Sequence, residues 1–171
     1  MPGPLITLTI LAVCLGLIAL MWLGWRARRR RQSSIAAAPE LPAGLGEPVF
    51  ALDDVHYVAT STAGAPLDRI AVEPLGFRGR AVVEVHPTGL AVGIAATRPF
   101  FVPRERIEEV GRAQGTIDRA VERDGLILVG WLLDDDHPVA TYFRVVDPAD
   151  RRALLDALQT LAPEPTAQEH A

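Results

Sequence analysis

Residues 5–25 carry no charged side chain, and this stretch constrains how the rest of the chain can fold. It reads LITLTILAVCLGLIALMWLGW, with two threonines as its clearly polar side chains. As a helix rising about 1.5 Å per residue it would extend about 30 Å, the thickness of the hydrocarbon core of a bilayer. The stretch therefore predicts a transmembrane helix over residues 5–25 and leaves the residues after it to form a folded domain.

Arginines follow the apolar stretch, and no basic residue precedes it. These arginines are Arg26, Arg28, Arg29, Arg30 and Arg31. Basic residues that flank a span stay in the cytoplasm, so we expect the N-terminus outside and everything after Arg31 in the cytoplasm. A cleaved signal peptide is the alternative, but it would place its positive charges ahead of a shorter apolar stretch. The sequence predicts a single-pass protein of the cell membrane, with these arginines as its topology determinants.

The rest of the chain is acidic. The 17 basic residues, all arginine, stand against 21 acidic ones; without the five arginines above, 12 remain and the net charge of residues 32–171 is −9. Such a body is repelled by nucleic acid and by anionic lipid, except at a local basic patch. We therefore expect no nucleic-acid partner. The single cysteine, Cys14, excludes an intrachain disulfide.

Composition divides the chain into segments. Residues 26–48 combine the basic flank with a stretch rich in Ala, Pro, Gly and Ser, which predicts a flexible linker. Residues 163–171 predict a disordered tail. The folded domain is expected over residues 49–162.

The domain alternates apolar and polar residues with the period of β-strands. AVVEVH (81–86) and LAVGIA (90–95) flank a turn and predict a hairpin that places His86 on the solvent side. DRAVERDG (118–125) leads into LILVGWLL (126–133) with Asp-Gly turn chemistry and predicts a second hairpin. Further strands are expected at 49–60, 100–102 and 139–146.

The last element is a helix. Asp147 is an expected N-cap, Pro148 suits the first helical position, and Leu154, Leu158 and Leu161 share one face. About seven short strands followed by one amphipathic helix predict a bent antiparallel barrel whose open end the helix covers.

Three segments carry a family resemblance: DRIAVEPLGFRGRA (68–81), FFVPRERI (100–107) and GLILVGW (125–131). With the strand order and terminal helix, they resemble the pleckstrin-homology (PH)-like barrel. With the N-terminal span and its arginines, the chain is similar to actinobacterial membrane proteins that carry a bacterial PH-like domain and are often labelled "export or membrane protein" or "transporter". The resemblance covers nearly the whole chain, and its motifs are structural and mark no active site.

No catalytic or metal-binding constellation is evident. The serines are Ser33, Ser34 and Ser61, and none stands in a G-x-S-x-G elbow. The histidines lack metal-ligand spacing, and the consecutive carboxylates Asp134–Asp136 converge poorly because neighbouring strand residues face opposite sides. The carboxylates Asp134–Asp136 instead predict a solvated turn. We expect that the protein is not an enzyme and binds no cofactor.

Two surfaces remain as candidates for binding. Arg69, Arg78 and Arg80 would form an anion-binding patch, unless they pair with nearby carboxylates. Phe100 and Phe101 are adjacent on a strand, so one ring is expected to face outward and mark a partner surface. We predict a membrane-anchored scaffold that binds a protein partner, with an anionic-lipid or small-anion sensor as the alternative. The sequence leaves the oligomeric state open.

Overall fold

The computed structural model describes residues 3–31, 35–113 and 125–163. The chain divides into two compact units, Met1–Ser34 and Ile35–Ala171. The first contains helix α1 (Pro4–Arg31). The second contains strands β1 (Phe50–Thr62), β2 (Gly79–His86), β3 (Gly89–Ile94), β4 (Phe100–Pro103), β5 (Ile107–Ala113), β6 (Leu126–Leu132) and β7 (Pro138–Arg144), followed by helix α2 (Pro148–Gln159).

Helix α1 has 28 residues and includes the uncharged stretch. Its large apolar side chains with described positions, from Ile6 to Leu23, are all more than half exposed within the chain. The guanidinium of Arg26 lies 5.5 Å from the centroid of the Trp22 ring, a cation–π contact. Among the described residues, no helix combines the length and hydropathy required of a membrane span.

The seven strands form one antiparallel sheet in the order β4-β3-β2-β1-β7-β6-β5. The predicted hairpin of residues 81–95 is confirmed, since β2 and β3 pair from Ala81 with Ile94 to His86 with Gly89. The described part of the chain contains seven strands, the number that was predicted, although β5 was not among the predicted strands. The sheet does not close in the described part of the chain, so β4 and β5 are its two edges.

Strand β6 pairs with a different segment from the one expected. Its neighbours are β7 and β5 (Ile107–Ala113). The predicted partner was the segment 118–125, and its residues 118–124 lie outside the described residues. The sequence of β5, IEEVGRA, does not predict a strand, because only Ile107 and Val110 are large apolar residues. A register shift between Ile107 and Glu109 also breaks the alternation on which the sequence prediction depends.

Helix α2 forms as predicted. The Asp147 carboxylate accepts hydrogen bonds from the backbone N–H groups of Ala149 and Asp150, and Pro148 occupies the first turn. Its apolar side chains pack into the same core as the sheet, and the helix contacts β5 and β1. The buried residues of this helix region are Leu154, Leu155, Leu158 and Leu161.

The first part of the expected linker lies against the domain. Ala38 is buried in the core, and Ile35 packs against it. The Pro39 carbonyl accepts a hydrogen bond of 2.9 Å from the Phe101 N–H, and Glu40 bridges to Phe100 in antiparallel fashion. We call residues 35–45 the covering segment. The predicted boundary at residue 49 therefore needs correction to Ile35, because this proline-rich stretch finds backbone partners on the edge of β4.

Candidate functional site

The two phenylalanines of β4 point to opposite faces of the sheet, as predicted, but neither is exposed. Phe100 stacks on Trp131 in the core, with ring centroids 6.3 Å apart. Phe101 lies on the other face and is only 5% exposed, where residues of the covering segment lie beside it. The expectation of an outward ring is wrong because it treated residues 39–45 as a free linker.

A cavity of about 530 Å³ lies between the covering segment and the end of β4. Its size falls in the usual range for ligand-binding clefts. We call it the Phe101 cleft. It is mainly apolar, and its polar lining residues are Glu40, Thr88 and Glu105. The lining residues are Pro39, Glu40, Pro42, Ala43, Gly44, Leu45, Thr88, Phe101, Pro103 and Glu105.

Gly89 shapes the side of this cleft. Its φ of +154° belongs to a region that favours glycine, and a Cβ there would overlap the Val102 carbonyl oxygen and the Phe101 ring. The missing side chain lets the Phe101 ring lie close to the β2–β3 turn. The turn, which contains Thr88, is also held by a 2.9 Å hydrogen bond from the Arg104 N–H to the Thr88 carbonyl.

His86 is buried, so the prediction that it faces solvent is wrong. The residue is 2% exposed and pairs across the ladder with Gly89. Its Nε2 lies 3.7 Å from a Glu84 carboxylate oxygen, and neither ring nitrogen has a hydrogen-bond partner among the described residues. Strand alternation placed His86 on the outer face of the sheet, but the sequence did not show that this part of the outer face is covered.

The three arginines of the expected anion patch lie in different environments. Arg69 is partly buried and donates a 2.8 Å hydrogen bond to the Val58 carbonyl. Arg80 forms an exposed ion pair of 3.1 Å with Asp54. Arg78 is exposed in the connection between β1 and β2. The contacts of Arg69 and Arg80 with protein groups weaken the case for a dedicated anion site.

The acidic turn at 134–137 forms hydrogen bonds within itself and with the covering segment. Asp134 accepts hydrogen bonds from His137 at 2.6 Å, from the Asp136 N–H, and from the Ala36 N–H of the covering segment. The hydrogen bond with His137 is the main cause that lowers the pKa of the Asp134 carboxyl. No cluster of potential metal ligands occurs among the described residues. The turn thus contributes one exposed hydrogen bond of 3.4 Å to the contact with the covering segment.

The potential nucleophiles do not meet a catalytic base in the described part of the chain. Ser61 is buried in β1, and its hydroxyl has no hydrogen-bond partner there. Cys14 is exposed on α1, whereas Ser33 and Ser34 lie outside the described residues. That the chain is not an enzyme stays a prediction.

Sequence reasoning identified Phe101 but missed the other half of the cleft. Residues Pro42–Leu45 were assigned to a linker. The composition of a proline- and glycine-rich segment does not show whether the segment is flexible or packed against a domain. The spacing of Ile35 and Ala38 ahead of Pro39 is the one local sign of burial, and it is too short to establish a period.

A known protein family matches most of the chain. The model of the family described as bacterial PH domain-like matches residues 35–159, which begin with the covering segment and end with α2. No curated protein matches the chain.

Proposed function

Because the chain belongs to the bacterial PH domain-like family, we propose that it is a non-enzymatic interaction module that binds a protein partner at the Phe101 cleft. The observation that carries this proposal is the cleft itself, a cavity of about 530 Å³ beside an edge strand, with an aromatic ring in its lining. Apolar clefts with a few polar groups are the usual sites for inserted side chains. The Glu40 carboxylate is already paired with Arg98 at 3.2 Å, so Glu105 is the acidic side chain that favours a partner presenting an apolar side chain next to a basic one.

We further propose that α1 anchors this module in the cell membrane, with the N-terminus outside and the domain in the cytoplasm. The support is the sequence of residues 5–25, the arginines that follow it, and the exposure of the apolar side chains along α1. Exposed apolar surface of this extent calls for a covering environment. The anchor would give the domain its role as a scaffold, because it holds a bound partner at the inner face of the membrane.

An anionic-lipid sensor is the second candidate, and one observation favours it. Phe77, which is 49% exposed, stands next to the exposed Arg78 in the β1–β2 connection. An aromatic side chain beside a cation suits the headgroup region of a bilayer. The net charge of −9 after the arginine cluster opposes this function, as do the protein contacts of Arg69 and Arg80.

Site-specific photo-crosslinking in the producing cell separates the two candidates. A photoreactive residue at Thr88, which lines the cleft, should capture a discrete protein, whereas the same group at the exposed Thr160 of the α2 region should not. Glu105→Arg should reduce capture at Thr88, because it reverses a charge at the cleft. Equal capture at both positions would contradict the cleft as the binding site.

Lipid binding is tested with the domain alone, residues 35–163, on liposomes containing phosphatidylserine. We expect no flotation at physiological salt. Flotation that weakens with salt, and that Arg78→Ala reduces by about fivefold, would replace the partner proposal by the lipid sensor, since each basic side chain near such a surface contributes about 1 kcal/mol.

A further inference from the structure

Three basic side chains stand next to one another on the outer face of the sheet. His56 of β1 lies opposite Arg80 of β2 on one side and opposite Arg144 of β7 on the other. All three residues are exposed, whereas the residues before and after His56 and Arg144 are buried. The register shifts of β1 lie before Val55 and after Tyr57, so the pairing at His56 is regular and the three side chains share one face. We call Arg80, His56 and Arg144 the basic row.

The basic row is unusual in an acidic domain. Residues 32–171 carry 21 acidic side chains and 12 arginines, so a carboxylate could readily stand opposite each arginine. Basic side chains that face one another across a ladder do not give the stabilisation of opposite-charge pairs. The row nevertheless places an arginine on each side of His56. Such an arrangement suggests that the row serves an acidic ligand rather than the stability of the sheet.

The donor groups of the row are available to a ligand. Within the described part of the chain, the side chains of His56 and Arg144 form neither a hydrogen bond nor an ion pair. The Arg80 guanidinium pairs with Asp54 at 3.1 Å, but both side chains are more than half exposed, and exposed pairs of this kind are weak. Arginine can bind a carboxylate through two parallel hydrogen bonds, and an imidazole ring has an N–H donor in either protonation state.

The span of the row indicates the shape of the ligand. Neighbouring strands lie about 4.8 Å apart, so the row extends about 10 Å across β2, β1 and β7. A single phosphate group is much smaller than this span. Carboxylate side chains three or four residues apart on a helix are separated by about 5–6 Å at their Cβ atoms, which is close to the strand spacing. An acidic helix lying across the strands can therefore present one carboxylate to each basic residue.

The surroundings of the row favour a protein segment over a bilayer. Asp53 and Asp54 lie beside Arg80 in a groove of about 310 Å³ on the same part of the sheet. An anionic bilayer is an extended surface, so it would face these carboxylates and the net charge of −9 as well as the row. A peptide segment is narrow enough to contact the row without covering the acidic surface around it.

We propose that the basic row binds an acidic helical segment of a protein partner, whose successive carboxylates pair with Arg80, His56 and Arg144. The row crosses β2, β1 and β7, whereas the Phe101 cleft lies at the β4 edge of the sheet. This inference therefore adds a second binding surface and does not depend on the proposed function of the cleft.

Fluorescence anisotropy tests the row on the full chain in a non-ionic detergent. The probe is a labelled alanine-rich helical peptide with glutamate at every fourth position. In every protein compared, glutamine replaces the five arginines within residues 26–31, because that cluster would bind the same probe. Arg144→Gln should weaken binding by about fivefold, since it removes one exposed charge pair. Arg112→Gln is the matched control, because Arg112 is exposed on β5 outside the row, and it should bind as the parent does.

Competitors separate the other sources of negative charge. At constant ionic strength, inorganic phosphate and glycerophosphoserine, the soluble headgroup of phosphatidylserine, should not displace the peptide at concentrations where the unlabelled peptide does. Displacement by either one at those concentrations would assign the row to a phosphate ligand and overturn the proposal. Equal binding of the same peptide with glutamine in place of glutamate, or an equal loss in Arg144→Gln and Arg112→Gln, would also overturn it.

Discussion

Tyr57 is a link in a buried chain of hydrogen bonds whose loss can be measured. The Trp131 Nε1–H donates to the Thr141 hydroxyl at 2.9 Å, the Thr141 and Thr60 hydroxyls lie 2.8 Å apart, and the Thr60 hydroxyl lies 2.5 Å from that of Tyr57. The Tyr57 hydroxyl donates to the Leu75 carbonyl at 3.1 Å. An indole N–H can only donate and a carbonyl can only accept, so each hydroxyl must donate to the next one along the chain.

Replacing Tyr57 by phenylalanine ends this chain at Thr60. The Leu75 carbonyl loses its donor from Tyr57, and the Thr60 hydroxyl loses its acceptor. A buried polar group left without its partner costs about 1–3 kcal/mol, and both residues are fully buried. We expect Tyr57→Phe to lower the free energy of unfolding by about 2–3 kcal/mol at neutral pH, and the melting temperature by about 8 °C.

The pH dependence gives a second, independent signature. Burial is the main cause that raises the pKa of Tyr57 well above its ordinary value of 10.0. In the unfolded chain the same hydroxyl titrates at about pH 10, so above that pH unfolding releases a proton and the free energy of unfolding falls. The stability contributed by neutral Tyr57 is therefore complete below pH ~10 and declines as the pH rises toward the folded value. Tyr57→Phe lacks this titration, so the stability gap between the two proteins should narrow above pH ~10.

Urea unfolding of the native protein and the variant, followed by circular dichroism from pH 7 to 11, measures both effects. Tyr142→Phe is the matched control, because no hydrogen bond of its hydroxyl occurs among the described residues. It should cost much less than Tyr57→Phe. A cost below about 0.5 kcal/mol for Tyr57→Phe, or a gap that stays constant up to pH 11, would refute the reasoning.

The N-cap of α2, the β2–β3 turn and the proposed membrane orientation each give a measurable expectation. Asp147→Ala should lower the free energy of unfolding in urea at neutral pH, and Asp147→Asn should lower it less. Hydrogen bonds from the backbone N–H groups of Asp150 and Ala149 lower the pKa of Asp147 in the folded domain. The stabilisation by this carboxylate should therefore disappear as the pH falls through its pKa in the folded domain. Gly89→Ala should cost at least about 2 kcal/mol because its Cβ overlaps Val102, whereas Gly93→Ala, where nothing lies within 4 Å, should be tolerated. A reporter active only in the cytoplasm should work when fused after the last residue, and alkaline phosphatase at the same place should not; the reverse result would contradict the proposed orientation.

The local features of the chain were predictable because they depend on neighbours in sequence. The N-cap at Asp147 and the β2–β3 hairpin agree with the structure, since a capping carboxylate reaches backbone groups two and three residues away. The order of these local elements along the chain carried the resemblance to the PH-like plan, and the family match supports that resemblance. Strand β5 was not predicted, because a register shift between Ile107 and Glu109 interrupts the alternation of its apolar and polar residues.

The candidate site was predicted only in part. Phe101 was singled out for its place beside Phe100, but its burial depends on residues some sixty positions earlier in the chain, which bring the Pro39 carbonyl to its N–H. The same is true of His86, whose strand position put it on the outer face and whose burial depends on the packing around Gly89 and β4. Whether the outer face of a strand is covered depends on residues distant in sequence, so a local sequence pattern does not predict it.

By itself, then, the sequence determined the elements that short-range rules control: an uncharged stretch followed by arginines, alternating strands, and a capped amphipathic helix. Tertiary structure alone decided which strand became each edge, which face of β4 the covering segment occupies, and which arginines are already bound to protein groups. The physical reason is that an exposed and a covered residue can have the same neighbours in sequence. Burial is decided by whichever distant segment satisfies the free backbone groups of an edge, as Pro39 does for Phe101.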